Sequence, residues 1–228
     1  MSKGRLFADP LNVVVCGVGG QGNILIARLI GRSLAKRGYL VTIGETYGAS
    51  QRGGDVMSHI RLSVRRKYGP LMRPGGAHIV LGLEPLETLR MLVDYGNPQV
   101  TTITNTRPIL PVTVGMGVAL YPDLEKLKQA IAELSGQVWF VDATEVALDL
   151  GSVRLTNVVM LGALIGSSLL PVTQAQVEKE IKERFSGDTL KPILEAFRKG
   201  LGHARAPQSH SRTLNPKGTA RVMPTTKS

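Results

Sequence analysis

Cysteine is nearly absent from this 228-residue chain, where Cys16 stands alone. A disulfide framework is therefore excluded. With only four histidines and no Cys/His spacing of the metal-binding kind, a zinc or iron–sulfur site built from this chain is excluded as well. Any redox metal must belong to a partner. Aromatic residues make up only 4%, too few for recognition of nucleic acid by base stacking, so no nucleic-acid partner is expected. Long apolar runs are missing too. The longest uncharged stretch, Leu155 to Val177, is interrupted by Asn157, Ser167, Ser168, Pro171, Thr173 and Gln174. That leaves about 13 apolar-dominated residues where a membrane span needs about 20. The first ten residues carry no apolar secretory core. The expectation is a cytoplasmic protein with no membrane partner.

Acidic residues are scarce, 17 against 28 basic, which gives a net charge of +11. Five of the basic residues (Arg205, Arg212, Lys217, Arg221 and Lys227) fall after Leu201, where no acid occurs. That stretch is rich in Pro, Ser, Thr and Gly and shows no apolar period, so residues 201–228 are expected to form a basic disordered tail. The rest, at 43% hydrophobic and 20% charged over the whole chain, can fill a core. Residues 1–10 read as a leader and 11–200 as one domain.

Strand and helix patterns alternate along that domain. Asn12–Cys16 is a short apolar run that stops at Gly17, the mark of a buried strand. Ile24, Leu25, Leu29, Ile30 and Leu34 follow at helical spacing, with Gly38 as the C-terminal stop. Leu40–Ile43 predicts a second strand. Residues 56–64 alternate, which predicts a half-exposed strand with Met57, His59, Arg61 and Ser63 on its open face. Further strands are predicted at Ile79–Leu83, Val100–Thr104 and Val138–Val141. Helices are expected from Pro85, around Leu124–Leu134, from Asp142, and over 155–170, 173–186 and 188–200. Asp142 with Glu145, and Thr173 with Gln176, have capping-box spacing. The fold class is α/β: a Rossmann-like, mostly parallel sheet with helices on both faces and a helical C-terminal part.

Two glycine-rich segments could bind a ligand. Gly17-Val18-Gly19-Gly20-Gln21-Gly22 joins the first strand to the first helix and satisfies the dinucleotide fingerprint, with Glu45 placed where a ribose-binding acid would sit. Glu45-Thr46-Tyr47-Gly48-Ala49-Ser50-Gln51-Arg52-Gly53-Gly54 follows the second strand, and Arg52 could offer its fork to a carboxylate or phosphate. The candidate cofactor-binding residues are Gly17, Gly19, Gly20, Gln21, Gly22, Gln51, Arg52, Gly53 and Gly54. Asn105-Thr106-Arg107-Pro108 could face the same sheet edge. His59 reads as structural, and Cys16 as inert inside an apolar strand. No nucleophile elbow, P-loop lysine or metal spacing is present, so no catalytic residue is assigned.

Taken together, these two segments and the Ser58-His59-Ile60-Arg61 strand after them resemble the gamma-type subunit of the 2-oxoacid:ferredoxin oxidoreductases, in particular the beta subunit of the indolepyruvate type. Leu83-Glu84-Pro85-Leu86-Glu87, Asn105–Ile109, Asp142–Glu145 and Asn157–Ala163 extend the resemblance over residues 11–200. It implies a subunit that is inactive alone. Its large alpha partner would carry thiamine diphosphate, magnesium and [4Fe-4S] clusters, and the complex would turn a 2-oxoacid into an acyl-coenzyme A while reducing ferredoxin. Coenzyme A would be a co-substrate near the subunit interface. Two other classes compete: a stand-alone NAD(P)- or nucleotide-dependent oxidoreductase, supported by the fingerprint and Glu45, and an adenylating enzyme of the ubiquitin-activating type, whose zinc-binding cysteines are missing here.

Overall fold

The computed structural model describes residues 6–46, 55–110 and 120–203. Gln51, Arg52, Gly53 and Gly54 lie outside the described residues, as does nearly all of the basic tail. Six strands form one sheet: β1 (Leu11–Val18), β2 (Leu40–Thr46), β3 (Asp55–Ser63), β4 (Ile79–Gly82), β5 (Thr101–Asn105) and β6 (Gln137–Val141). Their order is β2-β3-β1-β4-β5-β6. β1, β4, β5 and β6 run parallel, and β3 runs antiparallel to both of its neighbours.

β1 is apolar on both faces because both are covered. Val13 and Val15 enter one core, and Val14 and Cys16 enter the other. The first core is filled by α1 (Asn23–Lys36), α4 (Ala143–Asp149), α5 (Thr156–Gly166), α6 (Gln174–Arg184) and α7 (Leu190–Gly200). The second is filled by α2 (Pro85–Tyr95) and α3 (Leu124–Leu134). Both faces of the sheet therefore carry helices, as the alternation of patterns predicts. The apolar stretch after Leu155 is a helix buried along nearly its whole length, from Thr156 to Ile165.

Two local expectations need correction. The half-exposed strand is only partly open: β3 lies between β2 and β1, and on the face expected to be open His59 and Ser63 are 1% exposed while Met57 and Arg61 are half-buried. The Tyr95 ring stands edge-on to His59 at 4.8 Å, and the Met72 amide donates to His59 Nδ1 at 3.4 Å. Burial pushes the His59 pKa down, in keeping with a structural, neutral imidazole. The capping box at Asp142 does not form. The Asp142 side chain makes no cap bond and instead accepts from the Thr106 hydroxyl, while Glu145 pairs with Arg107 at 2.7 Å. Thr173 and Gln176 do form the reciprocal box at the start of α6.

The C-terminal helices are locked in two ways. α5 and α7 cross so closely that a Cβ at Gly162 would overlap the Phe197 carbonyl oxygen, and one at Gly200 would overlap that of Val159. α6 is tied to α7 by a two-pronged bond from Arg198 to Glu178, with Nε–Oε1 at 2.9 Å and Nη2–Oε2 at 3.0 Å. Gln174 adds a third donor at 2.8 Å.

Backbone clash at a helix crossing cannot be relieved by a rotamer change, so Gly162→Ala is expected to cost about 1–3 kcal/mol. Denaturant unfolding checks this, and an unchanged midpoint would refute the close crossing. The bonds from Arg198, then Gln174, hold the Glu178 carboxyl down at about 2 from an ordinary 4.5. A lowered folded-state value means the stabilisation is complete above pH 4.5 and disappears as pH falls toward 2. Because the Arg198 side chain is 54% exposed, solvent screening trims the pair, and Glu178→Gln should cost about 1–2 kcal/mol at neutral pH. In an acid titration followed by circular dichroism, that variant should lose less stability between pH 4.5 and 2 than the parent.

Candidate functional site

The chain leaves β1 for one side of the sheet and crosses to β4 on the other, so the carboxyl ends of β1 and β4 form the switch point where open α/β sheets bind ligands. The glycine segment sits there. Gly22 caps α1 with φ 89°, and a Cβ at that position would overlap the Asn157 amide. A non-glycine residue would therefore meet both a strained backbone and a steric block. A Cβ at Gly17 would crowd Gln21 Oε1 and the Leu83 side chain, whereas at Gly20 it would meet nothing. Gly20 thus borders open space, while Gly17 and Gly22 serve close packing.

Gln21 is the surprise of the segment. Its Oε1 accepts from the Val18 amide at 2.6 Å and its Nε2 donates to the Leu83 carbonyl at 3.0 Å. Asn157 on α5 donates to the Gln21 carbonyl at 3.0 Å. Both ends of the Gln21 amide are thus engaged within the chain, clamping the turn to the end of β4. No side chain caps α1, and no acid occupies its first turn, so the positive end of the helix is left for an anion.

A cleft of about 510 Å³ opens beside this turn, lined by Gly19, Gly20 and Gln21 together with Arg107, Thr144, Arg154 and Asn157. Arg107 comes from the segment after β5, so that segment does face the shared edge. It pairs with Glu145, but both side chains are more than half exposed, 54% and 62%, and such a pair is easily exchanged for a ligand contact. Arg154 makes no ion pair among the described residues. Its position in the short turn before α5 gives no periodic or motif signal, so sequence reasoning missed it. The cleft floor is cross-linked by hydrogen bonds: Asn105 Nδ2 donates to the Leu83 carbonyl at 3.2 Å and to the Thr144 hydroxyl at 3.0 Å.

Glu45 does not sit where a ribose-binding acid belongs. In the dinucleotide fold the acid ends the strand next to β1, but here β3 separates β2 from β1. Glu45 instead lies 3.5 Å from Arg28 on α1. Cys16 is buried and burial pushes its thiol up, the opposite of the thiolate a metal or a nucleophile needs. Among the described residues no group of three His, Cys, Asp or Glu side chains could hold a metal ion, and no helix is long and apolar enough to cross a membrane.

Comparison with known proteins agrees with this architecture. Indolepyruvate oxidoreductase subunit IorB of Thermococcus kodakarensis is 36% identical over 195 residues, which cover 85% of this chain and 96% of that protein. In structure, the chain is similar to pyruvate oxidoreductase subunit PORC of Thermotoga maritima, with a TM-score of 0.63, 18% identity and coverage of 87% of this chain and 96% of that one. It is also similar to the 2-oxoglutarate:ferredoxin oxidoreductase of Magnetococcus marinus, solved with 2-oxoglutarate, coenzyme A and succinyl-CoA bound, at a TM-score of 0.68 and 22% identity. That match covers 87% of this chain but 31% of the longer one. Residues 12–202 match the pyruvate ferredoxin/flavodoxin oxidoreductase family. With that match, and a relative more than 30% identical across most of its length, this chain belongs to the pyruvate ferredoxin/flavodoxin oxidoreductase family.

Proposed function

We propose that this chain is the small, cluster-free subunit of an indolepyruvate-type 2-oxoacid:ferredoxin oxidoreductase, and that its cleft receives an anionic part of coenzyme A against a larger partner subunit. The observation that carries the ligand reading is the cleft itself: an uncapped helix N-terminus at the switch point, with Arg107 and Arg154 in the walls. Coenzyme A bears phosphates at its nucleotide end, and guanidinium forks and helix amides recognise that chemistry. The relationship to IorB supports the substrate class, and the bound ligands of the Magnetococcus enzyme support coenzyme A.

A partner follows from the same surface. Ile109, Leu110 and Val153, at or beside the cleft rim, are 39%, 59% and 55% exposed, and apolar groups around a ligand site suit burial under another subunit. Thiamine diphosphate with magnesium, and [4Fe-4S] clusters, both in that larger subunit, would supply the decarboxylation and the electron path to ferredoxin. This chain does not fit a cluster, because its single cysteine offers no thiolate set. Its own part is to hold an anion by Arg107, Arg154 and the α1 amides, to fix the glycine turn through Gln21, and to help exclude water at the interface. The Gln51–Gly54 segment is proposed to lie at the same interface, with Arg52 as a further anion contact.

The competing NAD(P) reading loses its main support with the displacement of Glu45. Calorimetry on the full chain is expected to give no saturable heat with NAD(H) or NADP(H), and micromolar binding would restore that reading.

The full chain alone is expected to show no 2-oxoacid-dependent ferredoxin reduction, which should appear on adding the large subunit. In that complex Arg154→Ala should raise the KM for coenzyme A about ten- to a hundredfold, the value of a lost charge-assisted bond of about 1.5–3 kcal/mol. The change in kcat should be much smaller. An unchanged KM would show that the cleft is not the anion site.

A further inference from the structure

Glu84 is a buried carboxylate with more contacts than a helix cap requires. It is 1% exposed and stands between Leu83, which lines the cleft, and Pro85, the first residue of α2. One oxygen, Oε2, accepts from the Glu87 amide at 2.9 Å and caps α2. Helix caps favour Ser, Thr, Asp and Asn, whose short side chains fold back onto the first turn. Glutamate is a methylene longer, and the structure shows what the extra reach is used for. Oε1 extends away from the helix and accepts from the Tyr121 hydroxyl at 2.5 Å and from the Ile109 amide at 3.4 Å.

Ile109 and Pro108 form part of the cleft wall. A single carboxylate therefore connects the start of α2, the wall segment after β5, and Tyr121 just before α3. Burial and the neighbouring Glu84 carboxylate push the Tyr121 phenol well above its ordinary value, so Tyr121 keeps its proton and donates it to Glu84. The Thr88 hydroxyl donates to the Glu84 carbonyl at 2.7 Å and meets the Thr104 hydroxyl at 2.9 Å.

We infer that Glu84 is a positioning residue for the cleft: through Oε1 it sets the place of the Pro108–Ile109 wall, and so the affinity for the anionic ligand, without touching that ligand. The inference rests on the cleft being the coenzyme A site, and the test keeps the two claims apart.

Aspartate separates capping from positioning. Glu84→Asp keeps the charge and is a better helix cap, but its carboxylate is too short to reach both α2 and the wall. If Glu84 only caps, Glu84→Asp behaves as the parent. If it positions the wall, Glu84→Asp should melt within a few degrees of the parent while the Ile109 amide exchanges hydrogen about tenfold faster in the full chain. In the reconstituted complex the KM for coenzyme A should rise about three- to tenfold, with kcat within about twofold. Tyr121→Phe, which leaves the cap intact, should shift the same two readouts in the same direction.

Unchanged Ile109 exchange in both variants would overturn the inference. Faster exchange with an unchanged KM would also overturn it, provided that Arg154→Ala raises the KM. Should Arg154→Ala leave the KM unchanged, the coenzyme A reading fails on its own, and Ile109 exchange alone then decides whether Glu84 fixes the wall.

Discussion

The clamp made by Gln21 is the contact on which the glycine turn at the carboxyl edge of the sheet depends. A glycine-rich turn has high conformational freedom, and in isolation it would sample many arrangements. Here one side-chain amide bridges the end of β1 at Val18 and the end of β4 at Leu83, the two neighbouring parallel strands at the switch point. Asn157 then ties the same residue to α5. Three elements far apart in sequence meet at one residue, beside the cleft that Arg107 and Arg154 line. The pattern recurs one layer away, where Asn105 joins Leu83 to Thr144. Side-chain amides thus close the turns at this edge, and neither Arg107 nor Arg154 uses its side chain to do so.

The placement of β3 has the largest functional consequence. A strand inserted antiparallel between β2 and β1 moves the end of β2 a full strand farther from the glycine turn. An acid that would meet a ribose in the dinucleotide fold then faces Arg28 instead. The turn keeps its glycines, while the acid that would make it selective for a dinucleotide lies elsewhere. This explains how a fingerprint can be present in a chain whose relatives are subunits of 2-oxoacid oxidoreductases. Fold and fingerprint alone do not fix function.

The C-terminal helices solve a different problem. α5 is apolar on all sides, so it must be enclosed, and α7 covers it at a distance only glycine allows. The Glu178–Arg198 bond closes α6 onto α7 with one partner nearly buried and the other at the surface, a compromise that limits the desolvation cost of burying two charges.

Much of this was legible in the chain itself. Period decides which face of an element is apolar, so the buried β1 run, the spacing of α1 and α3, the Thr173 capping box and the all-apolar α5 could be read from residue order, and with them the α/β class. The glycine turn could be read because few other residues tolerate its backbone. Hydrogen-bond partners could not, because they depend on which residues the fold brings together. Nothing in the sequence marks Arg154, and nothing tells that Gln21 spends its amide on Leu83 or that Thr106 takes the carboxylate of Asp142. Strand order was equally hidden: alternation in residues 56–64 fits an edge strand and an interior one alike, since it reports side-chain period and not the neighbours. Local periodicity and backbone tolerance belong to the sequence; adjacency, and the site that adjacency creates, belongs to the tertiary structure.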